Sequence, residues 1–353
     1  ENNKGENMNN FKKVGISALA GSLAMISAQA VEVSWSGDST IAWTSGNTNE
    51  TGAKAAEAGS IAADTGLSVS ASGELDNGWT VSTAMDTGTN NTVSSAQLTI
   101  GLGDMGTIQF NQMAGSLVNG IDDVLPTAYE ETNDGSTHTV LGHSVGSAAT
   151  SGSISYKTPA LELSGMSVQA MVDYDPAADV AGGGAGGMTT VTGDAGSAIA
   201  YGLTVDSGMG LKVYGAYETV TSKTQNTVAT DGSGVVPEDG TAVGVQAVYA
   251  YGPVSVGYGE WYTNEKDGGR DYDTAAYSVA FNVNDSLSIS YGSMDDTQNS
   301  ILGVKTTTEI TSYNLAYSMG SMAVKVKHTD TDKPNFVAST TAERTEIAVS
   351  FSF

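Results

Sequence analysis

The sequence predicts an all-β protein, a 16-stranded antiparallel barrel that crosses a membrane. Apolar and polar residues alternate with a period of two in sixteen segments, as in strands whose successive side chains point to opposite faces. The connections between these segments are alternately short and long. Apart from residues 14 to 30, the 353 residues contain no long apolar run of the kind a membrane helix needs. Closing the sheet removes the unpaired edges that hydrocarbon would penalise by several kcal/mol per polar group.

The first element is not part of the barrel. From Met8 the chain reads Asn9, Asn10, Phe11, Lys12, Lys13, then an apolar run from Val14 to Ile26, then Ala28-Gln29-Ala30. A basic start, a short apolar core and a small-residue site make a secretory signal peptide over 8–30, cleaved after Ala30. Residues 1–7 read as an upstream extension and 31–353 as the barrel domain. Removing the first 30 residues leaves 11 basic and 37 acidic side chains, a net charge of −26. That balance excludes nucleic acid as a partner, since phosphates would repel it. An exported chain without cysteine must rely on burial and hydrogen bonds alone.

The strands are expected at 31–44, 67–75, 79–86, 96–103, 106–112, 152–160, 167–175, 197–206, 211–221, 242–252, 254–264, 273–284, 287–296, 309–320, 322–331 and 344–353. Their lengths suit tilted membrane strands of about 9–11 residues. Asp76-Asn77-Gly78, Gly103 to Gly106, Ser207 to Gly210, Gly252-Pro253, Asn284-Asp285 and Gly320-Ser321 carry the residues that tight turns require, and 161–166 makes a longer one. The long connections are 45–66, 87–95, 113–151, 176–196, 222–241, 265–272, 297–308 and 332–343. Short turns on one rim and long loops on the other are the rhythm of an up-and-down membrane barrel.

Phase assigns the faces. Leu98, Ile100 and Leu102, Tyr277, Val279 and Phe281, and Tyr313, Leu315 and Tyr317 belong to the lipid side. Gln97, Thr99, Gln109, Asn111, Ser288, Ser290 and Asn314 point the other way, and so many polar groups need a wet interior. Trp35, Trp79, Tyr251, Tyr317 and Phe353 lie near short turns, where an aromatic girdle is expected. Glu260 breaks the pattern by sharing the phase of Val254, Val256 and Tyr258; a bulge, a subunit contact or a place near the outer rim would each account for it.

Two stretches carry a family resemblance. The last strand alternates from Arg344 to a terminal Phe353, with Phe351 on the same face. It resembles the C-terminal signature of bacterial outer-membrane barrels, which the barrel assembly machinery of that membrane reads. The run Gln97-Leu-Thr-Ile-Gly-Leu-Gly-Asp-Met-Gly-Thr-Ile-Gln-Phe110 is similar to general diffusion porins of Gram-negative bacteria just before their third loop. The resemblance implies a trimeric, water-filled channel for passive diffusion of small hydrophilic solutes and ions, surrounded by outer-membrane lipid and lipopolysaccharide. It also implies that the third extracellular loop, here 113–151, folds into the barrel and narrows the passage. That loop holds the densest acidic stretch, Asp122, Asp123, Glu130, Glu131 and Asp134.

The chain departs from the family in one respect. Many members carry arginines on the wall facing that loop, whereas the first five strands expected here contain no Lys or Arg, and Asn111-Gln112 stands where Gly-Arg is often found. Basic residues in the lumen phase come later, at Lys157, Lys212, Lys325, Lys327 and Arg344. Acids in that phase are Glu32, Glu74, Asp86, Asp173 and Glu218, and the acidic excess favours cations.

Other motifs are explained without chemistry. Gly101-Leu-Gly-Asp-Met-Gly106 fits a dinucleotide fingerprint, but strand residues follow it where a helix would be required, so it reads as a hairpin turn. His138 and His143 lie in the third loop near Ser136 and Ser144, with no nucleophile-elbow context for a hydrolase. Asp173/Asp175/Asp179, Asp271/Asp273, Asp295/Asp296 and Asp330/Asp332 sit at expected outer strand ends, and none completes a calcium loop. Neither a cofactor nor a metal is implied, and the chain is not expected to be an enzyme. The competing readings are a barrel used as a surface anchor or adhesin with a closed lumen, and a barrel enzyme using loop histidines.

Overall fold

The structure is a computed structural model that describes residues 32–50, 53–88, 93–112, 115–140, 142–143, 145–149, 152–178, 196–221, 240–264, 271–299 and 303–353. The signal peptide, the upstream extension, Ser144 and Asp179 lie outside them. The described strands are β1 (Glu32–Glu50), β2 (Ala53–Glu74), β3 (Thr80–Thr87), β4 (Val93–Gly101), β5 (Thr107–Gln112), β6 (Ser153–Lys157), β7 (Leu161–Leu163), β8 (Met166–Ala178), β9 (Gly196–Asp206), β10 (Leu211–Val220), β11 (Gly240–Tyr251), β12 (Val254–Asn264), β13 (Asp271–Asn284), β14 (Leu287–Asn299), β15 (Lys305–Met319), β16 (Met322–Asp332) and β17 (Thr340–Ser352).

Every pairing is antiparallel between neighbours in sequence, and β17 returns to β1 over Asp38↔Ser352 to Glu50↔Thr340, which closes the barrel. At the seam Gly37 and Phe353 exchange backbone hydrogen bonds of 2.8 and 2.9 Å. β6 and β7 both pair with β8 and are one stave interrupted at Thr158-Pro159-Ala160, so seventeen strands make sixteen staves. Proline has no N–H to offer the ladder, and Pro159 lies within the break. The stave resumes through Leu163, so the expected 161–166 turn shortens to Ser164-Gly165. Both residues have positive φ, 51° and 89°, as a two-residue type I′ hairpin requires.

The stretch 45–66 is also not a loop. β1 and β2 pair across almost all of it, with one register shift between Thr44 and Gly46. Elsewhere strands run a few residues past the expected bounds at the long-loop rim, as β13, β14 and β15 do. Gly103–Met105 is a single 3-10 turn closed by Gly106 N–H to Gly103 O at 3.2 Å, and it leads straight into β5.

The outer face is apolar and open: Tyr201 and Leu203 on β9, Val245 on β11, Val256 and Tyr258 on β12, Tyr277 on β13 and Tyr313 on β15 are 43–54% exposed or close to it. A water-soluble protein rarely shows so continuous an apolar belt. Trp35, Tyr251 and Phe353 are 66%, 76% and 78% exposed at the short-turn rim. Glu260 faces outward on β12, in register between Val245 and Ala275, and neither pairing shifts there. The bulge explanation is therefore excluded; the carboxylate instead accepts a hydrogen bond from Tyr258 on the same face.

Candidate functional site

The connection between β5 and β6 is held to the inner face of the barrel in large part through its own backbone. Asp173 on β8 accepts the Val118 N–H at 2.7 Å. Glu218 on β10 accepts the Gly146 and Ala149 N–H groups at 2.9 and 3.1 Å. Gln246 on β11 donates to Ile121 O at 2.7 Å, and Thr263 on β12 donates to Gly142 O at 3.2 Å. Ser290 on β14 accepts the Ala128 N–H at 2.9 Å, Asn314 on β15 donates to Glu130 O at 3.2 Å, and Lys327 on β16 donates to Glu131 O. A backbone without regular structure must find such partners when it leaves water, and these wall side chains supply them.

Glycines make room for the loop. A side chain at Gly202 on β9 would strike Ile121, one at Gly244 on β11 would press on Val145, and one at Gly257 on β12 would meet Leu125 and Pro126. Gly292 on β14 likewise faces Thr132. Val118, Val140, Val145 and Ala149 of the loop join Ala198, Ala200, Val220, Ala242, Trp261, Ala276, Met294 and Ile310 of the wall in one buried apolar cluster. The loop thus occupies the inward side from β8 to β17, with its acidic tip toward β14 to β17.

Side chains fasten the tip. Tyr129 donates its hydroxyl to Glu346 on β17 at 2.6 Å, and Lys325 stands 4.9 Å from the centre of its ring. Burial first, then the bond to Glu346, pushes the Tyr129 phenol above its ordinary range. Lys327, 2% exposed, also lies 3.6 Å from the Glu130 carboxylate. His138 binds Asp296 on β14 through Nε2 at 2.8 Å while its Nδ1 accepts the Asn335 N–H at 2.9 Å. With Nδ1 accepting, the proton sits on Nε2 and points at the carboxylate. Ser136 donates its hydroxyl to the His138 carbonyl at 3.0 Å and not to the ring, whose two nitrogens are both engaged.

Several residues expected as open wall charges serve other ends. Asp173 and Glu218 are fully buried and hold the loop backbone, and Lys327 is equally enclosed. Asp296, read as an outer strand end, is fully buried beneath the loop and also binds Thr274 at 2.8 Å. Lys212 pairs with Asp206 at 3.2 Å near the short-turn rim. Asp86 accepts the Ser95 hydroxyl at 2.9 Å. Glu32 and Glu74 are exposed on the inward phase, while Lys157 and Arg344 are half-buried there. Glu346, Gln246 and the inward glycines were missed as site residues, although each shares the inward phase of its strand.

Across the lumen, the inward residues of β1 to β3 are mostly small hydroxyls, interspersed with Glu32, Asp38, Asp64, Glu74 and Asp86. Ser34 bonds Ser70 at 2.8 Å, Thr44 bonds Ser60 at 2.8 Å, and Thr40 bonds Ser350 of β17 at 2.9 Å. Ser34, Ser60 and Ser70 are exposed, in contrast with the buried wall behind the loop. From Glu32 to Gln112 the only basic residue is Lys54, in the upper part of the β1–β2 hairpin.

The loop carboxylates crowd together. Asp122 is buried and Asp123 exposed, and Asp123 hydrogen-bonds Glu131. Asp134 accepts the Glu131 N–H at 3.1 Å. Burial, then the charge of Asp123, drives Asp122 well above the usual carboxylate range and pushes Glu131 up to about 9. His143, buried and tilted against the Trp261 ring at 4.3 Å, is lowered by the same burial.

Comparison with known proteins agrees with this architecture. The barrel is similar to the outer-membrane protein OmpT of Vibrio cholerae, with a TM-score of 0.62 and 15% identity over 92% of this chain and 99% of that one. It is similar to OmpF of Salmonella typhi, solved with daunomycin, with a TM-score of 0.65 and 12% identity over 92% and 98%. An anion-selective porin from Comamonas acidovorans superposes with a TM-score of 0.65 at 11% identity over 92% and 100%. No curated protein matches the sequence significantly. The family model for Gram-negative porins matches residues 15–334. The chain therefore belongs to the Gram-negative porin family, and it is a β-barrel channel protein of the bacterial outer membrane.

Proposed function

We propose that this porin is a water-filled channel for passive diffusion of small hydrophilic solutes and ions, that the loop 113–151 sets its narrowest passage, and that it prefers cations. The observation that carries this reading is the contrast between the two sides of the lumen. Loop backbone is bonded to β8 through β16, while the hydroxyls of β1 and β2 stay accessible. A passage between them has loop carboxylates on one side and no arginines on the other. Lys327 is engaged by Glu130 and Lys212 by Asp206, which takes two basic groups out of the field that an ion would meet. Acidic groups in a low-dielectric constriction raise the local cation concentration. The accessible hydroxyl wall speaks against a lumen sealed for an anchoring or adhesive role. A homotrimer fits the family, and OmpT of Vibrio cholerae is described in a trimer form.

Reconstitution of the folded protein into a planar bilayer tests the proposal. Stable ohmic steps with a cation-selective reversal potential in a salt gradient are expected. Silence after verified insertion would refute the channel reading, and an anion-selective sign would refute the charge argument alone.

A further inference from the structure

Where the two ends of the loop meet, Asp122, Asp123 and His143 each offer one ligand atom, and these atoms lie within 4.8 Å of one another. Three such groups are not a site by proximity alone. Beside them is a small, partly enclosed cavity of about 20 Å³, whose polar lining includes Asp122, Glu131, Asn133, His143 and Ser278 beside the apolar Leu125 and Met294. A space of about 10–15 Å³ already admits a water-sized species. Asp122 is 8% exposed, and its Oδ1 has no hydrogen-bond partner among the described residues. Asn133 Oδ1 and Ser278 Oγ, on the same cavity, are equally unpartnered. Three orphaned oxygens around one small space are unusual, because a buried polar atom without a partner loses its hydration and gains nothing in return. Each would be satisfied by a species that donates positive charge from the middle.

We propose that Asp122, Asp123 and His143 bind one divalent transition-metal ion, of the Zn²⁺ or Mn²⁺ type, which ties residues 122–123 near the start of the loop to residue 143 near its end. The donor set decides the class. Calcium takes six to eight oxygens, whereas an imidazole beside carboxylates suits a first-row transition ion. Bonds of about 2.1 Å in a tetrahedron put ligand atoms about 3.4 Å apart, so the most distant pair draws together by up to about 1.4 Å when the ion is taken up. His143 packs against Trp261, which fixes the ring plane, and Asp123 stands beside Glu131. The cation also answers the repulsion that the buried Asp122 meets from Asp123 and Glu131.

The test uses the full chain folded in detergent and stripped with a chelator. Metal content and calorimetric titration with Zn²⁺, Mn²⁺ and Ca²⁺ are measured separately, with resistance of the loop to protease as a second readout. One ion per chain, tighter binding of Zn²⁺ or Mn²⁺ than of Ca²⁺, and metal-dependent protection of the loop are expected. Asp123→Asn and His143→Gln should each weaken binding by about tenfold or more, while Asp295→Asn at the exposed end of β14 should not. Asp123 is exposed, so its variant keeps the test open even where a substitution at His143 impairs folding. Absence of saturable binding by any of the three ions overturns the proposal. So does binding unchanged in Asp123→Asn, or a Ca²⁺ preference that His143→Gln leaves intact.

Discussion

The two bonds from Glu218 to the loop are the anchor whose removal can be reasoned through most fully. Glu218→Ala deletes both acceptors and leaves the Gly146 and Ala149 N–H groups facing a dry wall. Each stranded donor costs about 1–3 kcal/mol, so the loop's closed arrangement loses about 2–6 kcal/mol. The variant also relieves the desolvation of a fully buried carboxylate, which places the expected loss at the low end, about 2 kcal/mol. At about 1.4 kcal/mol per factor of ten, the displaced-loop population rises about 30-fold. The barrel should remain, because β10 keeps its ladders to β9 and β11 on either side of Glu218. Single-channel recording would then show longer or more frequent dwells at a higher conductance, with faster protease nicking within 115–149. A folded variant with unchanged dwells and unchanged nicking would refute the anchoring argument.

Two further substitutions separate the loop's seat from the barrel's frame. Gly257→Leu sets a side chain 2.5 Å from Pro126 Cδ at its first atom, so the loop must lift; conductance should rise, and an unchanged value would show that the passage lies elsewhere. Gly165→Val forces a β-branched residue to φ +89° at a short turn far from the loop, at a cost of about 1–2 kcal/mol, with lower heat stability and ordinary conductance. A melting temperature equal to that of the native chain would contradict the turn assignment.

Strands with a lipid face were legible because hydrocarbon demands apolar residues at every second position. The upper halves of β1 and β2 were not. Residues 45–66 are rich in Ala, Gly, Ser and Asn and show no sustained alternation of apolar with polar residues. The sixth stave was misread at its end because Pro159 interrupts the ladder, and chain that breaks a strand looks the same in sequence as chain that leaves it. Phase tells which way Asp173 and Glu218 point, yet only the path of the loop decides whether they meet water or peptide, and Asp296, read as an outer strand end, is fully buried. The inward glycines at 202, 244, 257 and 292 were the available clue, since a wall that merely lines water has no need to be hollowed.

The wall from β8 to β16 addresses the loop mainly by peptide groups: Val118, Ala128, Gly146 and Ala149 through N–H, and Ile121, Glu130, Glu131 and Gly142 through C=O. Such fasteners are indifferent to which side chains the loop carries. The barrel thus works as a socket with an interchangeable insert. Side chains turned toward the passage can be exchanged, by evolution or by design, with the docking contacts kept. Under the proposed function, retuning what passes is a matter of re-facing one segment while the mount stays unaltered.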